Sequence, residues 1–332
     1  MKLASLNLND RAQFLLISVL TFFLSAVLDN LTVTIVMVQI ARRFFNKENL
    51  PAVVAGIVIL ANAGGAWSPI GDVTTIMLWL ADKFTAMEII RDAFLPAFVL
   101  GAVSSVLIAR GIRGDTTGIK ENEVITLTRG EKGVISLSLF SFSLPLIMNL
   151  FGLPPYMGLL VGLGLVWMFI EFVQTRSKKE SHLEANIEHM LQKADISSLN
   201  FFIGILLAVG ALETLGILDS ISHFMFGATP AFERIAAGNI LLGVISAVLD
   251  NVPLTALAID LIKSTDPRLW TLLALTVGTG GSFLVIGSVS GVVAMGMVKE
   301  LTFGKYLKVA TIPAIVGYVA GVLVWWVVNV GF

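Results

Sequence analysis

Two acid–amide pairs in apolar surroundings are the residues of this sequence best suited to ion chemistry. Asp29-Asn30 and Asp250-Asn251 each interrupt a long run of apolar residues. A carboxylate inside a lipid bilayer is costly, and such acids commonly mark ion pathways or proton relays. Carboxylate, amide and hydroxyl oxygens suit a hard cation such as Na⁺, and a carboxylate shielded from water takes up a proton more readily. The pairs therefore predict sites that hold either a cation or a proton; the alternative is a cap that only ties a helix end.

A second polar motif interrupts the apolar segment that runs from residue 51 to residue 81. Its glycines and Pro69 break a helix and free backbone groups, which at membrane depth is tolerated only beside a cavity or inside protein. Such breaks bring backbone carbonyls close to cations. Asp72 in this break is a further intramembrane acid, and it is accompanied by Asn62, Ser68, Thr74 and Thr75. A simple kink is the alternative, but a kink does not need this group of side chains.

The sequence contains an internal repeat of both motifs. Residues 25–30 recur without change as residues 246–251. Residues 64–74 align without gaps with residues 280–290, and five of these eleven positions are identical. The two motifs recur in the same order, and we expect them on helical hairpins that open to opposite faces of the membrane. This arrangement is typical of the inverted repeats of secondary transporters. The polar residues of the second copy are Ser246, Asp250, Asn251, Thr255, Ser282, Ser288 and Ser290. Because the second copy has Ser288 where the first copy has Asp72, we expect the first half to carry most of the acidic side chains that bind ions.

The elements that must position these residues are membrane helices. The chain has 332 residues, of which 56% are hydrophobic and only 14% are charged, and its mean hydropathy is +0.89. A soluble domain carries about 25% charged residues. A spanning helix needs about 20 apolar residues, so the chain has room for roughly ten membrane segments. The net charge of −1 gives no case for nucleic-acid binding, and the absence of cysteine excludes disulfides, thiolate catalysis and cysteine metal sites.

The lengths of the apolar segments predict how these elements are arranged. The segments 12–28 and 31–41, and likewise 232–249 and 252–262, form pairs with an arm too short to cross, so each pair predicts a re-entrant helical hairpin. The two longer segments that carry the glycine motif predict broken helices. We therefore predict an all-α polytopic membrane protein, an inverted-topology repeat with two re-entrant helical hairpins and two broken transmembrane helices. The remaining spans are expected at 94–109, 133–152, 156–175, 200–218 and 308–330.

The repeat divides the chain into two halves. Residues 1–110 form the first half with a hairpin, a broken helix and one span, and residues 111–132 form a cytoplasmic loop. Residues 133–332 form the second half, with a linker at 176–199. Three spans precede the second hairpin, whereas only a short polar segment precedes the first. We therefore expect three further helices ahead of Met1; the alternative is that the two halves diverged in length.

The distribution of basic residues predicts the orientation in the membrane. If the first hairpin opens to one side, that side collects 17 of the 22 lysines and arginines. By the positive-inside rule this side is the cytoplasm. The same count places the opening of the second hairpin on the opposite face, which holds Lys83, Arg91, Arg234, Lys263 and Arg268.

Both motifs resemble those of NhaD-type sodium/proton antiporters of the ion transporter superfamily. The resemblance rests on residues 28–32 and 64–75, is supported by residues 250–253 and 280–282, and runs over essentially the whole chain. It implies two re-entrant hairpins, two broken helices and export of sodium in exchange for protons. Members of this family carry further helices at the N-terminus. The resemblance also implies that the ion path is lined by Asp29, Asn30, Asn62, Asp72, Thr74, Thr75, Ser246, Asn251, Ser282, Ser288 and Ser290.

The predicted function is secondary active transport that exchanges Na⁺, or Li⁺ in its place, for H⁺ by alternating access. Asp29 and Asp72 are the carboxylates expected to bind either Na⁺ or the proton. The alternatives are a transporter of arsenite or another small solute or anion in the same superfamily, and a truncated membrane fragment that does not transport. Acidic hairpin tips disfavour an anionic substrate. The motifs add four candidate residues to the ion path, Thr32, Ser68, Asp250 and Thr255.

The expected partners are Na⁺, H⁺ and the lipid bilayer, in a bacterial inner membrane or an organelle envelope. No cofactor and no nucleic acid are expected, and the sequence leaves a homodimer open. The pair Gly71-Asp72 also occurs in intramembrane aspartyl proteases. Those enzymes need a second catalytic Asp on a neighbouring span and lack the duplication, so we do not expect an enzyme.

Overall fold

The computed structural model describes residues 9–114, 128–176, 196–226 and 231–331 of the chain. These residues form α-helices joined by turns and short connections, with no β-strand among them. Within these ranges, four helical stretches are long and apolar enough to cross a membrane: Ala86–Ala109, Arg129–Leu150, Pro155–Thr175 and Phe303–Asn329. Together with the composition, they identify an all-α, multi-pass integral membrane protein, as the sequence predicts.

The chain forms two compact units, one of residues 1–120 and 204–332 and one of residues 121–203. All candidate ion-site residues belong to the first of these units. Its first five helices are α1 (Asp10–Ser25), α2 (Asn30–Phe44), α3 (Leu50–Gly65), α4 (Val73–Leu80) and α5 (Ala86–Ala109). The second unit contains α6 (Arg129–Ser141), α7 (Leu144–Leu150) and α8 (Pro155–Arg176).

The remaining helices follow in the C-terminal part of the chain. They are α9 (Ile196–Thr214), α10 (Ile217–Phe226), α11 (Phe232–Ile245), α12 (Asn251–Leu261) and α13 (Pro267–Gly280). After a 3₁₀ turn (Val285–Gly287) come α14 (Val289–Met297), α15 (Phe303–Tyr306) and α16 (Ile312–Asn329). A π-helical turn (Leu307–Thr311) joins α15 to α16. Such turns are rare and are frequently found at functional sites.

The start of α5 shows how a local cap can extend a helix beyond its apolar run. The sequence predicts a span from residue 94, but the helix begins at Ala86. Thr85 and Glu88 form a capping box, in which the Glu88 carboxylate accepts from the Thr85 N–H at 2.7 Å. The charged residues of this first part lower its hydropathy, and the apolar run in the sequence therefore begins later than the helix.

In the second unit, α6 and α7 both pack against α8. The predicted span at 133–152 consists here of two helices, because α6 ends at Ser141 and α7 begins at Leu144 with Pro145 in its first turn. Proline is well suited to the first turn of a helix, where its missing N–H would lack a partner in any case. The predicted linker at 176–199 lies almost entirely outside the described residues, as do residues 115–127 of the predicted loop.

Within the first unit, the helices of the two repeat copies pack reciprocally. α1 packs on α3, and α11 packs in the same way on α13. α2 contacts both α3 and α14, whereas α12 contacts both α13 and α4. Each pair of short helices therefore contacts the broken helix of its own copy and the second segment of the broken helix of the other copy. This cross-packing brings polar residues from both copies together.

Candidate ion-binding site

Both predicted helix breaks are present, and closely spaced glycines make them. α3 and α13 each end at a glycine pair, and the chain resumes as a helix at Val73 and Val289. A Cβ atom on Gly65 would lie 2.6 Å from the carbonyl oxygen of Gly71. The equivalent atom on Gly281 would lie 2.6 Å from the carbonyl oxygen of Gly287. Since this is closer than a carbon and an oxygen can approach, glycine is required at both positions.

Two equivalent serines tie the short helices to the broken ones. The Ser25 hydroxyl donates to the Ala61 carbonyl at 2.6 Å, and the Ser246 hydroxyl donates to the Val277 carbonyl at 2.8 Å. Ala61 precedes its glycine pair by the same number of residues as Val277 precedes the second pair. The repeat in the sequence therefore corresponds to a repeat of contacts in the fold.

A neutral cluster forms around Asn62, which is fully buried in α3. The Asn30 amide donates to Asn62 Oδ1 at 3.0 Å, and the Ser290 hydroxyl donates to the same oxygen at 3.1 Å. Asn62 Nδ2 donates to Ser282 Oγ at 2.9 Å and to Ser288 Oγ at 3.3 Å. We call these five residues the amide–serine cluster. Its polar groups satisfy one another and carry no charge.

The second helix break is also held from the C-terminal helix. The Tyr306 hydroxyl donates to the Ser282 carbonyl at 2.8 Å, and the Thr311 hydroxyl donates to the Phe283 carbonyl at 2.6 Å. Tyr306 is fully buried and immediately precedes the π-helical turn, while Thr311 ends it. The sequence gives no signal for either residue, because neither lies in a repeated or polar motif.

A charged cluster forms around Asp72, which follows the first break and is only 2% exposed. The Asn251 amide donates to Asp72 Oδ2 at 3.0 Å. The Thr74 hydroxyl is completely buried and, among the residues that the structure describes, has no hydrogen-bond partner. We call Asp72, Thr74 and Asn251 the aspartate cluster. Nearby, Asp250 is half-buried at the start of α12, and its Oδ1 atom likewise lacks a partner within the described part of the chain.

The residues beside Asp72 are smaller than those at the equivalent places of the amide–serine cluster. In the alignment of the two copies, Gly278 takes the place of Asn62 and Ala66 takes the place of Ser282. A Cβ atom on Gly278 would lie 3.4 Å from Asp72 Oδ2, which is ordinary van der Waals contact. The amide of Asn62 and the hydroxyl of Ser282 thus have no counterparts beside Asp72, where a single added methyl group would already contact the carboxylate.

Among the residues that the structure describes, no basic side chain forms an ion pair with the aspartate cluster. The ion pairs of Arg91 with Asp92 and of Arg268 with Asp266 do not involve Asp72. A second carboxyl group belongs to Asp250, which directly precedes the Asn251 whose amide donates to Asp72. Two acids so arranged in a buried position favour the uptake of a proton or a cation. Within the described ranges, no group of three acidic, histidine or cysteine side chains could hold a metal, so a cation here would need amide, hydroxyl and carbonyl oxygens.

Asp29 occupies a different environment from Asp72. It is half-buried and caps α2, where its Oδ1 accepts from the Thr32 N–H at 2.9 Å and its Oδ2 accepts from the Thr32 hydroxyl. Thr32 is exposed. The structure thus assigns Asp29 a capping contact and does not bring it into either cluster; its role in ion exchange stays a prediction.

The other predicted residues lie around the two clusters. The Thr75 hydroxyl donates to the Asp72 carbonyl at 2.8 Å, and the Thr255 hydroxyl donates to the Asn251 carbonyl at 2.8 Å. Ser68 is buried in the first break, where its hydroxyl accepts from the Ile70 N–H at 3.4 Å. These three residues shape the backbone on which the clusters are built.

Comparison with known proteins identifies relatives over most of the chain. The family model described as "Citrate transporter" (CitMHS) matches residues 2–278. Sodium/proton antiporter 1 of Arabidopsis thaliana is 38% identical over 93% of this chain, which covers 54% of that protein. Sodium/proton antiporter 2 of the same plant is 35% identical, with 93% and 75% covered. Na(+)/H(+) antiporter NhaD of Alkalimonas amylolytica is 32% identical, with 92% and 67% covered. The chain thus spans little more than half the length of the first of these relatives.

Proposed function

Because this chain belongs to the CitMHS citrate-transporter family and is similar over most of its length to NhaD Na⁺/H⁺ antiporters, we propose that it exchanges Na⁺, or Li⁺, for H⁺ across a membrane. The observation that carries this proposal is the aspartate cluster. A buried carboxylate there has an amide partner, no basic partner among the described residues, and only glycine and alanine in the places that Asn62 and Ser282 take in the other cluster. Such a group is stable in the membrane only when a proton or a cation neutralises it.

The proposed exchange follows from sharing one carboxylate between two ions. Na⁺ would be bound by Asp72, the Thr74 hydroxyl and the side-chain oxygen of Asn251, together with carbonyl oxygens freed at the helix break. A proton on the Asp72 carboxyl group removes the negative charge that binds Na⁺, so the two ions exclude each other. The protein then releases one ion to take up the other, which couples the two fluxes in opposite directions.

We also propose that the two copies have inverted topology, with re-entrant hairpins α1–α2 and α11–α12 that open to opposite faces. The repeated serine contacts and the reciprocal packing support this arrangement. Alternating access would then rock the hairpins and broken helices together around a fixed site. The remaining polar residues, including Asp29 and the amide–serine cluster, would line the path on either side of Asp72.

The experiment that tests the proposal is ion exchange in reconstituted vesicles. The purified chain is placed in liposomes with an acidic interior and a pH-sensitive fluorophore, and Na⁺, Li⁺, K⁺, citrate or arsenite is added outside. We expect dequenching with Na⁺ or Li⁺ only, and its loss in Asp72→Asn. A response to citrate or arsenite that survives in Asp72→Asn would contradict the proposal and favour carriage of another solute.

A further inference from the structure

A basic cavity lies away from both clusters, between the α2–α3 connection, the end of α5 and the π-helical turn. Its volume is about 430 Å³. Its charged lining consists of the basic residues Arg113, Lys305 and Lys308 and a single acid, Glu48. All four side chains are exposed, and the cavity therefore offers an excess of positive charge to a ligand that approaches from outside.

The three basic side chains are available for such a ligand. The ion pairs formed by the described residues do not include any of them. Arg113 is held at the edge of the cavity through its backbone, because the buried Asn49 side chain donates to the Arg113 carbonyl at 2.7 Å and accepts from its N–H at 3.4 Å. The guanidinium group is thus placed by the backbone and remains free to bind an anion.

Apolar side chains beside the cavity indicate what kind of anion fits. On the same helical segment as the two lysines, Phe303 is 44% exposed, Leu307 is 43% exposed and Ile312 is 69% exposed. In an integral membrane protein such a surface contacts acyl chains, whereas a free phosphate gains nothing from it. Basic pockets at the cytoplasmic surface are typical binding sites for the headgroups of anionic lipids. All three basic residues belong to the side predicted to be cytoplasmic by the distribution of lysine and arginine.

The cavity is also joined to the ion site by the π-helical turn. Lys308 and Val309 of this turn line the cavity. The residues on either side of the turn core, Tyr306 and Thr311, donate hydrogen bonds to the carbonyls of Ser282 and Phe283 in the second break. The Ser282 side chain belongs to the amide–serine cluster. A ligand that fixes the conformation of this turn thereby also stabilises the second helix break.

We propose that the cavity binds the phosphate headgroup of an anionic membrane phospholipid, with the acyl chains along Leu307 and Ile312. Arg113, Lys305 and Lys308 bind the phosphate, and the bound lipid holds the π-helical turn in the geometry that supports the second break. The proposal that the lipid binds does not depend on the proposed function, whereas the effect of bound lipid on ion exchange rests on it.

Lipid binding is measured first, by native mass spectrometry of the purified chain with phosphatidylglycerol or phosphatidylcholine. We expect phosphatidylglycerol to bind more tightly, and the triple variant Arg113→Gln, Lys305→Gln, Lys308→Gln to lose affinity on the order of 100-fold, given the strength of lysine and arginine contacts with anionic lipid. The control is Arg42→Gln with Arg43→Gln, which removes two exposed charges at the end of α2 that do not line the cavity. Equal affinity of the triple variant and the control would overturn the proposal, and so would displacement by inorganic phosphate together with no preference for phosphatidylglycerol.

Exchange is then compared in liposomes of phosphatidylcholine alone and with added phosphatidylglycerol. We expect phosphatidylglycerol to raise the rate severalfold in the wild type and in the control, but not in the triple variant. Selective binding with no effect of lipid on the exchange rate would overturn the coupling. Selective binding in a protein that exchanges no ion in either membrane would refute the proposed function while the lipid site stands.

Discussion

The amide–serine cluster and the aspartate cluster occupy equivalent places in the two copies of the repeat, yet only one of them is charged. Asn62, Ser282 and Ser288 on one side correspond to Gly278, Ala66 and Asp72 on the other. The side chains of the first set are hydrogen-bonded to one another, whereas Gly278 and Ala66 of the second set place no polar side chain beside the carboxylate. The scaffold is therefore duplicated while the chemistry is not. One cluster satisfies its own polar groups, and the other contains a carboxylate that needs an added cation or proton.

The largest expected effect comes from removing the charge that distinguishes the two clusters. Asp72→Asn keeps the shape of the side chain but leaves a bound Na⁺ without its counter-charge. Because an unpaired buried charge costs about 3 kcal/mol or more, the rate of Na⁺/H⁺ exchange should fall about 100-fold or more. Vesicle dequenching measures the rate, and immunoblotting of the membrane fraction checks that the variant inserts.

Asp29→Asn is the matched comparison, since asparagine also caps a helix well. If the rate falls as far as in Asp72→Asn, Asp29 carries an ion as the sequence predicts. A rate near that of the wild type would restrict Asp29 to its contact with Thr32.

The next effect concerns competition at the charged cluster. If Na⁺ and H⁺ share Asp72, a tenfold rise in proton concentration should raise the apparent KM for Na⁺ by up to tenfold, and saturating Na⁺ should restore the maximal rate. The shift should fade at high pH, where the carboxylates are already ionised. Initial rates over about three pH units test this, and a KM for Na⁺ that does not change with pH would rule out a shared site.

Disrupting the neutral cluster should instead affect stability. Asn62→Ala removes the hydrogen bonds of the buried amide with Asn30, Ser282, Ser288 and Ser290 and should cost about 1–3 kcal/mol of folding free energy. Thermal unfolding in detergent measures this loss, and the exposed Asn149→Ala provides the control. The KM for Na⁺ should change less than about threefold, the equivalent of ~0.6 kcal/mol; a larger change would mean that the neutral cluster also binds the ion.

A smaller effect is expected from adding a methyl group beside Asp72 in the charged cluster. Gly278→Ala places a methyl group 3.4 Å from Asp72 Oδ2, where the fold accommodates it but a bound cation has less room. We expect the KM for Na⁺ to rise about fivefold, the equivalent of ~1 kcal/mol. Gly296→Ala is the control, since its Cβ atom would have no neighbour within 4 Å. Equal KM values for the two variants would show that the space beside Asp72 is not used.

The smallest effect, on folding stability, is expected at Asp266, a carboxylate that, unlike Asp72, has a basic partner. Hydrogen bonds from Arg268 lower the pKa of Asp266 below its ordinary value. This pair contributes stability above the ordinary pKa of aspartate, near 4, and the contribution is lost as the pH falls through the lowered value. Arg268→Gln should cost less than about 1 kcal/mol at neutral pH, because the pair is partly exposed. Unfolding curves at pH 7 and pH 3 test this, and an equal loss at both would contradict it.

Much of the scaffold could be predicted from the sequence because its signals are local. Glycine pairs in apolar runs have few explanations besides a break, and both breaks lie where the sequence predicts them. The capping contact of Asp29 with Thr32 follows from their spacing of three residues. By contrast, the division of the candidate residues into a neutral and a charged cluster depends on α2 packing against α14 and α12 against α4. Nothing local in the sequence specifies that pairing, or the hydrogen bond from Tyr306 to the Ser282 carbonyl.

The reciprocal packing of the two copies has a consequence for the order in which the protein assembles during synthesis. As the chain is synthesised, α2 and α4 emerge long before α14 and α12, so neither can reach its partner until the second copy of the repeat has been made. Asp72 therefore enters the membrane without the Asn251 amide that later binds it. The ion site therefore assembles only after both copies of the repeat have been made, although its carboxylate belongs to the first.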